Sequence, residues 1–205
     1  MTQRKVTAGG YHRESLDNSW RTPEHILERV RFYFGGEIPF DPATGPDNPT
    51  RALRFCTGDL PAPPVPPSLF PTPPEQLDAE RLALARADGL AIAWDWPTWC
   101  NPPYGAEIRA WLAKFVAEAA RGTVIVALLP CSRWETDYLQ AALATSSALC
   151  LIRKRVAFVS SQDGVAPGGN TTGSMIVGWN VDAARWRDAF SPLGTCFEWS
   201  VTRGR

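Results

Sequence analysis

Two consecutive prolines, Pro102 and Pro103, separate a short apolar run from the most regular amphipathic stretch of the chain, within Trp99-Cys100-Asn101-Pro102-Pro103-Tyr104-Gly105. Neither proline has an amide hydrogen and both have a fixed φ, so the chain turns a rigid corner here and cannot continue as a central strand. Trp99-Cys100 therefore reads as a strand end. The corner holds a carboxamide (Asn101), a backbone carbonyl and an aromatic ring (Tyr104) in one arrangement, which suits gripping a planar group that bears an amino function. The same residues also fit an ordinary Asn-Pro turn, so context has to decide.

Downstream, the spacing predicts a helix over 106–120. Ile108, Trp111, Leu112, Phe115, Val116 and Ala119 share one face, while Glu107, Arg109, Lys114 and Glu118 fall off it. Thr123 to Leu129 (TVIVALL) is a continuous β-branched and aliphatic run, as expected of a strand buried on both faces of a parallel sheet. Strand end, corner, helix and buried strand make a βαβ unit. Pro130-Cys131-Ser132-Arg133-Trp134 is the next loop, with a helix to about Ala144. Leu149–Ile152 and Val156–Val159 read as strands around Arg153-Lys154-Arg155. Ser174–Trp179 and Cys196–Val201 are late strand candidates, and residues 160–173 are rich in Gly, Ser and Thr. The alternation predicts a three-layer α/β domain.

Upstream, residues 1–19 lack periodicity and read as a loose, mildly basic arm, so the domain is expected over 20–205. Thr22-Pro23-Glu24 is a helix-start signal with Thr22 as cap and Pro23 at the first helical position. It also suits holding an anion. Ile26, Leu27, Val30 and Phe34 follow at helical spacing, and Gly35-Gly36 ends the element. Ile38-Pro39-Phe40 leads into Asp41-Pro42-Ala43-Thr44-Gly45-Pro46, an apolar approach ending in an acid and a small-residue loop. Open α/β sheets present ligand loops in this way. It carries no G-x-G-x-x-G fingerprint, so a dinucleotide is not indicated. The stretch PAPPVPPSLFPTPP marks a proline-rich insertion at about 60–75, and 75–87 is rich in helix formers.

Composition narrows the function classes. Lys+Arg and Asp+Glu both number 21, so this is no basic coat for nucleic acid, and such contact must come from a local patch. Five scattered cysteines without a Cys-x-x-Cys pair, and two histidines, argue against a zinc site and for free thiols in a reducing compartment. Without a long apolar run or a signal-peptide core, a soluble cytoplasmic protein with no membrane contact is expected. Some of the nine tryptophans are expected to serve a surface.

Five signals occur in a fixed order: Trp20-x-Thr22-Pro23, Phe40-Asp41-Pro42-Ala43, Asp88-Gly89-Leu90, Asn101-Pro102-Pro103-Tyr104-Gly105 and Leu128-Leu129-Pro130. From about Trp20 to about Val177 the chain resembles the phage and prophage type of Dam-like DNA adenine methyltransferases. The resemblance implies a single Rossmann-like domain with a mostly parallel sheet, using S-adenosylmethionine to methylate the exocyclic 6-amino group of adenine at specific DNA sites. It also implies a bacterial or phage-infected host cytoplasm.

By the same resemblance, Asn101, Pro102, Pro103 and Tyr104 form the catalytic corner around a flipped base. Trp20, Thr22, Pro23, Asp41, Pro42 and Ala43 face the methionine and ribose side of the cofactor, with Asp88, Gly89 and Leu90 near its adenine. Arg133, Trp134, Arg153 and Arg155 are the DNA-contact candidates. The Gly45-Pro46 loop lacks the G-x-G of ordinary methyltransferases, and the proline-rich insertion departs from a minimal member. Similar corners serve enzymes acting on the cytosine 4-amino group, RNA adenine or protein glutamine, and a non-catalytic binder retaining the fold is a further alternative.

Overall fold

The computed structural model describes residues 20–58, 83–132, 134–160 and 172–199. The N-terminal arm, the proline-rich stretch, Arg133, most of 160–173 and the segment after Trp199 lie outside the described residues. The elements run β1 (Trp20–Arg21), α1 (Glu24–Phe34), β2 (Phe40–Asp41), β3 (Arg54–Phe55), β4 (Thr98–Cys100), α2 (Ile108–Ala120), β5 (Ile125–Pro130), α3 (Asp137–Ala144), β6 (Ala148–Ile152), β7 (Val159–Ser160), β8 (Ser174–Trp179), α4 (Ala183–Phe190) and β9 (Gly194–Glu198). Of the helix former-rich 75–87 stretch, residues 83–86 are helical.

Seven strands form one sheet in the order β3-β2-β4-β5-β8-β6-β9. The β3/β2, β2/β4 and β4/β5 ladders are parallel, as the βαβ reading requires. The β5/β8, β8/β6 and β6/β9 ladders are antiparallel, which corrects the mostly parallel sheet expected from the sequence. The physical reason lies in the return path. Leu151 of β6 pairs with Met175 of β8, so β6 ends and β8 begins at the same sheet edge and no crossover is needed. An apolar run buried on both faces reads alike in either orientation.

β5 shows how the three layers are bound together. Ile125, Ala127 and Leu129 enter one core with Trp111, Leu112 and Phe115 of α2 and Leu139 and Ala142 of α3. Val126 and Leu128 point into the opposite core, with Ile26, Leu27 and Val30 of α1 and Trp186, Ala189 and Phe190 of α4. Each large side chain so buried contributes about 1.5–3 kcal/mol, and period-2 alternation turns one strand into the spine of both cores. Trp94, Trp99, Trp179 and Trp186 are fully buried, whereas Trp134 and Trp199 are exposed, so most of the described tryptophans build the interior.

Two local expectations are corrected. α1 starts at Glu24 with Pro23 in the cap position (φ −62°, ψ 147°), and no side chain caps it. The Pro23 carbonyl accepts from the Ile26 and Leu27 amides at 3.0 and 3.3 Å, so Thr22 stands outside the helix. Val156–Val159 does not add a strand to the main sheet. Val156 is buried in the α1/α4 core, and β7 pairs with β1 in a separate antiparallel ribbon, Trp20 opposite Ser160. The segment after β6 thereby reaches the start of α1.

Gly178 on β8 faces Trp186, and a Cβ there would lie 2.6 Å from that indole and 2.9 Å from the Val181 methyls. Gly178→Val is therefore expected to destabilise the protein by about 1–3 kcal/mol, read as a lower denaturant midpoint.

Candidate active site

β2 is flanked by β3 on one side and β4 on the other, and from β4 the chain proceeds away through α2 to β5. In open α/β sheets the crevice at such a change of direction, outside the carboxyl ends of the strands, is where ligands bind. Here that edge carries the Asp41–Thr44 loop after β2, the Asn101–Tyr104 corner after β4 and the Pro130–Cys131 turn after β5. α1 runs back toward the start of β2, so Thr22-Pro23 belongs to the same edge.

The corner is anchored from behind. Trp99 packs into the α1/α4 core and Cys100 into the α2/α3 core, and Cys100 pairs with Ala127 of β5. Pro102 is buried. The Tyr104 hydroxyl donates to the Leu128 carbonyl at 3.1 Å, and burial pushes the phenol well above its ordinary range, so it stays neutral. The ring is met edge-on by Phe158, centroids 6.1 Å apart at 83°. The Asn101 Oδ1, however, is buried and accepts no hydrogen bond from the described residues.

An unpaired buried acceptor costs about 1–3 kcal/mol, so where such atoms gather is informative. Thr44 Oγ1 and Ser174 Oγ are also buried and unpartnered. Thr44 follows β2, and Ser174 opens β8 opposite Pro130. Three polar groups without partners among the described residues thus stand along one sheet edge.

On the β2 side, Asp41 is 1% exposed. Burial raises its pKa to about 7, partly offset by the Ala43 amide and the Thr50 hydroxyl, which donate to its two oxygens at 3.0 and 2.9 Å. Asp88-Gly89-Leu90 is pressed against this loop: a Cβ on Gly89 would lie 2.1 Å from the Pro42 carbonyl oxygen. Trp94 Nε1 donates to the Gly89 carbonyl at 2.9 Å, and the exposed Asp88 carboxylate accepts from the Leu90 amide at 2.9 Å. Pro42, Ala43, Asp88, Gly89 and Leu90, separated by more than 40 positions in sequence, therefore share one wall of the crevice.

On the other side of the corner, Tyr104, Ile108, Leu112, Leu129, Pro130 and Ser132 line a mostly apolar cavity of about 440 Å³. Trp134, which follows β5 in the chain, is 61% exposed. Arg153, Lys154 and Arg155 are exposed after β6, on the same edge but three strands from β4. Phe158, Thr44 and Ser174 were not among the residues singled out from sequence. Phe158 sits in a segment that reads as an ordinary strand, and a lone Ser or Thr carries no pattern. Among the described residues no cluster of three or more His, Cys, Asp or Glu side chains could hold a metal ion, and no helix is long and apolar enough to cross a membrane.

Because the folded protein holds a proton on Asp41 up to about pH 7 while the unfolded chain releases it near 3.8, folding binds a proton between those values. Stability is therefore expected to fall as pH rises from about 4 to 7 and then to level off. Asp41→Asn should flatten this part of the profile in denaturant titrations at successive pH values.

A search among curated proteins finds no match. The family model described as DNA N-6-adenine-methyltransferase (Dam) matches residues 77–190, more than half of the chain. The match spans the Asp88–Leu90 wall, the Asn101–Tyr104 corner, the cavity and the sheet from β4 to β8, while residues 20–43 lie outside it. The chain belongs to the Dam family of DNA adenine methyltransferases.

Proposed function

We propose that the Asn101–Tyr104 corner receives an adenine flipped out of DNA and directs its 6-amino group toward S-adenosylmethionine held at the β2/β4 crevice of a Rossmann-like domain. The observation that carries this reading is the buried, unpartnered Oδ1 of Asn101 at the end of β4. A planar amino group supplies the donor that this acceptor lacks.

The chemistry follows from the residues. The adenine amino nitrogen is a poor nucleophile because its lone pair is delocalised into the ring. When Asn101 Oδ1 and the Pro102 carbonyl both accept its N–H bonds, the nitrogen gains sp³ character and its lone pair leaves the ring plane. Pro103 stiffens the acceptor pair. Tyr104, its hydroxyl tied to Leu128 and its ring in T-shaped contact with Phe158, offers a ring already fixed in orientation. Flipping costs a few kcal/mol and stacking on an aromatic returns about 1–3. The cavity beside Tyr104 lies within the roughly 300–1,000 Å³ typical of small-ligand sites.

The residues at the crevice fit the proposed cofactor. Thr44 Oγ1 has no partner among the described residues, the exposed Asp88 carboxylate would accept from the amino group of the cofactor's adenine, and Leu90 is a half-buried apolar surface for that ring. Trp20, Thr22, Pro23 and the Asp41 loop would complete that side. When bound, S-adenosylmethionine supplies an electrophilic methyl group on a sulfonium. The amino nitrogen then gains the methyl and loses a proton, so no strong base is needed before transfer. Catalysis rests on positioning and aligned acceptors. The exposed Trp134 would meet the DNA, with Arg153 and Arg155 farther along the edge and Arg133 a further candidate from the sequence.

The test is to incubate the protein with labelled S-adenosylmethionine and unmethylated genomic DNA, then identify the modified nucleoside. N6-methyladenine is the expected product; its absence across DNAs of varied sequence overturns the reading, and 4-methylcytosine reassigns the substrate. Asn101→Ala should lower transfer by about 100-fold or more while calorimetry shows cofactor binding unchanged. Tyr104→Ala should lose about 1–3 kcal/mol of base stacking, appearing mainly in the DNA term of the kinetics.

A further inference from the structure

Glu118 was expected off the apolar face of α2, yet it is 3% exposed. Its Oε1 accepts from Lys114 Nζ at 2.7 Å. Its Oε2 accepts from Arg121 Nη1 at 2.9 Å and from the backbone amide of Trp94 at 3.3 Å. Lys114 also donates to the Ile92 carbonyl and lies 5.7 Å from the Trp94 ring.

What this network holds is a stretch without helix or strand, residues 88–95. Trp94 is central: its amide is on Glu118, its carbonyl accepts from Thr123 Oγ1 at 2.9 Å, and its indole N–H donates to Gly89. Gly89 in turn presses on Pro42. A continuous path runs from a carboxylate near the far end of α2, through Trp94, to the wall of the β2/β4 crevice. The segment closes one turn of its own, the Ala91 and Ile92 amides donating to the Asp88 carbonyl at 2.9 and 3.3 Å. With no ladder, its place against the fold depends on such pins, and a buried carboxylate persists only when fully paired.

We infer that Glu118 is a positioning residue for the cofactor, acting through Trp94 to set Asp88-Gly89-Leu90 against the Asp41 loop. This rests on the methyltransferase reading of the crevice. Glutamine at 118 would retain one acceptor but turn an NH₂ toward Lys114 or the Trp94 amide, opposing donor to donor. The segment then loosens while the corner, braced separately by β5 and Phe158, is undisturbed.

The experiment measures S-adenosylhomocysteine binding by calorimetry, together with kcat and the KM values for S-adenosylmethionine and DNA, on the full chain. Glu118→Gln should weaken cofactor binding and raise its KM about tenfold, the loss of one hydrogen bond to a charged group. Its kcat and DNA KM should stay within about twofold of wild type. Trp94→Phe, which deletes the N–H directed at Gly89, should shift the same two cofactor quantities, and carries the test if Glu118→Gln does not fold. Arg187→Gln, which removes an ion pair to Glu198 outside this network, should change neither. A Glu118→Gln protein that melts earlier but binds the cofactor with unchanged affinity makes the network purely structural and overturns the inference alone. A wild-type protein that binds no cofactor overturns the methyltransferase reading, and this inference with it.

Discussion

The termination of β4 is the constraint from which the site follows. Pro102 and Pro103 can donate nothing to a neighbouring strand, so the ladder between β4 and β5 stops at Cys100 paired with Ala127. The next side chain, Asn101, is carried past the last backbone pairing while still enclosed by the fold. Its carboxamide oxygen is consequently buried without a partner. That penalty is tolerated because Trp99 and Cys100, immediately before it, are locked into opposite cores. A looser strand end would let the amide turn to solvent.

The same logic extends along the carboxyl edge. Thr44, Asn101 and Ser174 are held without partners by three different strands, and each is supported by a neighbour that is fully committed: Asp41 to Ala43 and Thr50, Tyr104 to Leu128, Cys131 to the Gly173 carbonyl at 2.8 Å. Polar groups that are rigid and unsatisfied are what preorganised recognition requires. Groups that satisfy one another would have to be pulled apart before a ligand could use them.

How far the sequence discloses this depends on the range of the interaction. The β4 end, the corner, α2 and β5 were legible because Pro-Pro, a 3.6-residue apolar period and an unbroken aliphatic run are local signals. The strand that ends at Asp41 and the loop after it were legible, but the contact of that loop with Gly89 was not, since the two lie more than 40 residues apart. The antiparallel direction of β8 and β9 was hidden because Ser174–Trp179 would be equally apolar in a parallel sheet. Glu118 was misplaced because helical periodicity ranks residues by hydrophobicity, and a carboxylate enclosed by Lys114, Arg121 and an amide looks exposed on that ranking. Phe158 reads as part of a strand from its apolar neighbours, yet it lies just before β7 with its ring on Tyr104.

The most direct measurement is a crystal structure of the protein with adenine-containing duplex DNA and S-adenosylhomocysteine. One adenine is expected outside the helix, its 6-amino nitrogen about 2.7–3.2 Å from both Asn101 Oδ1 and the Pro102 carbonyl, its ring against Tyr104. A complex in which the base sits elsewhere and Asn101 Oδ1 remains buried without a partner would contradict this placement.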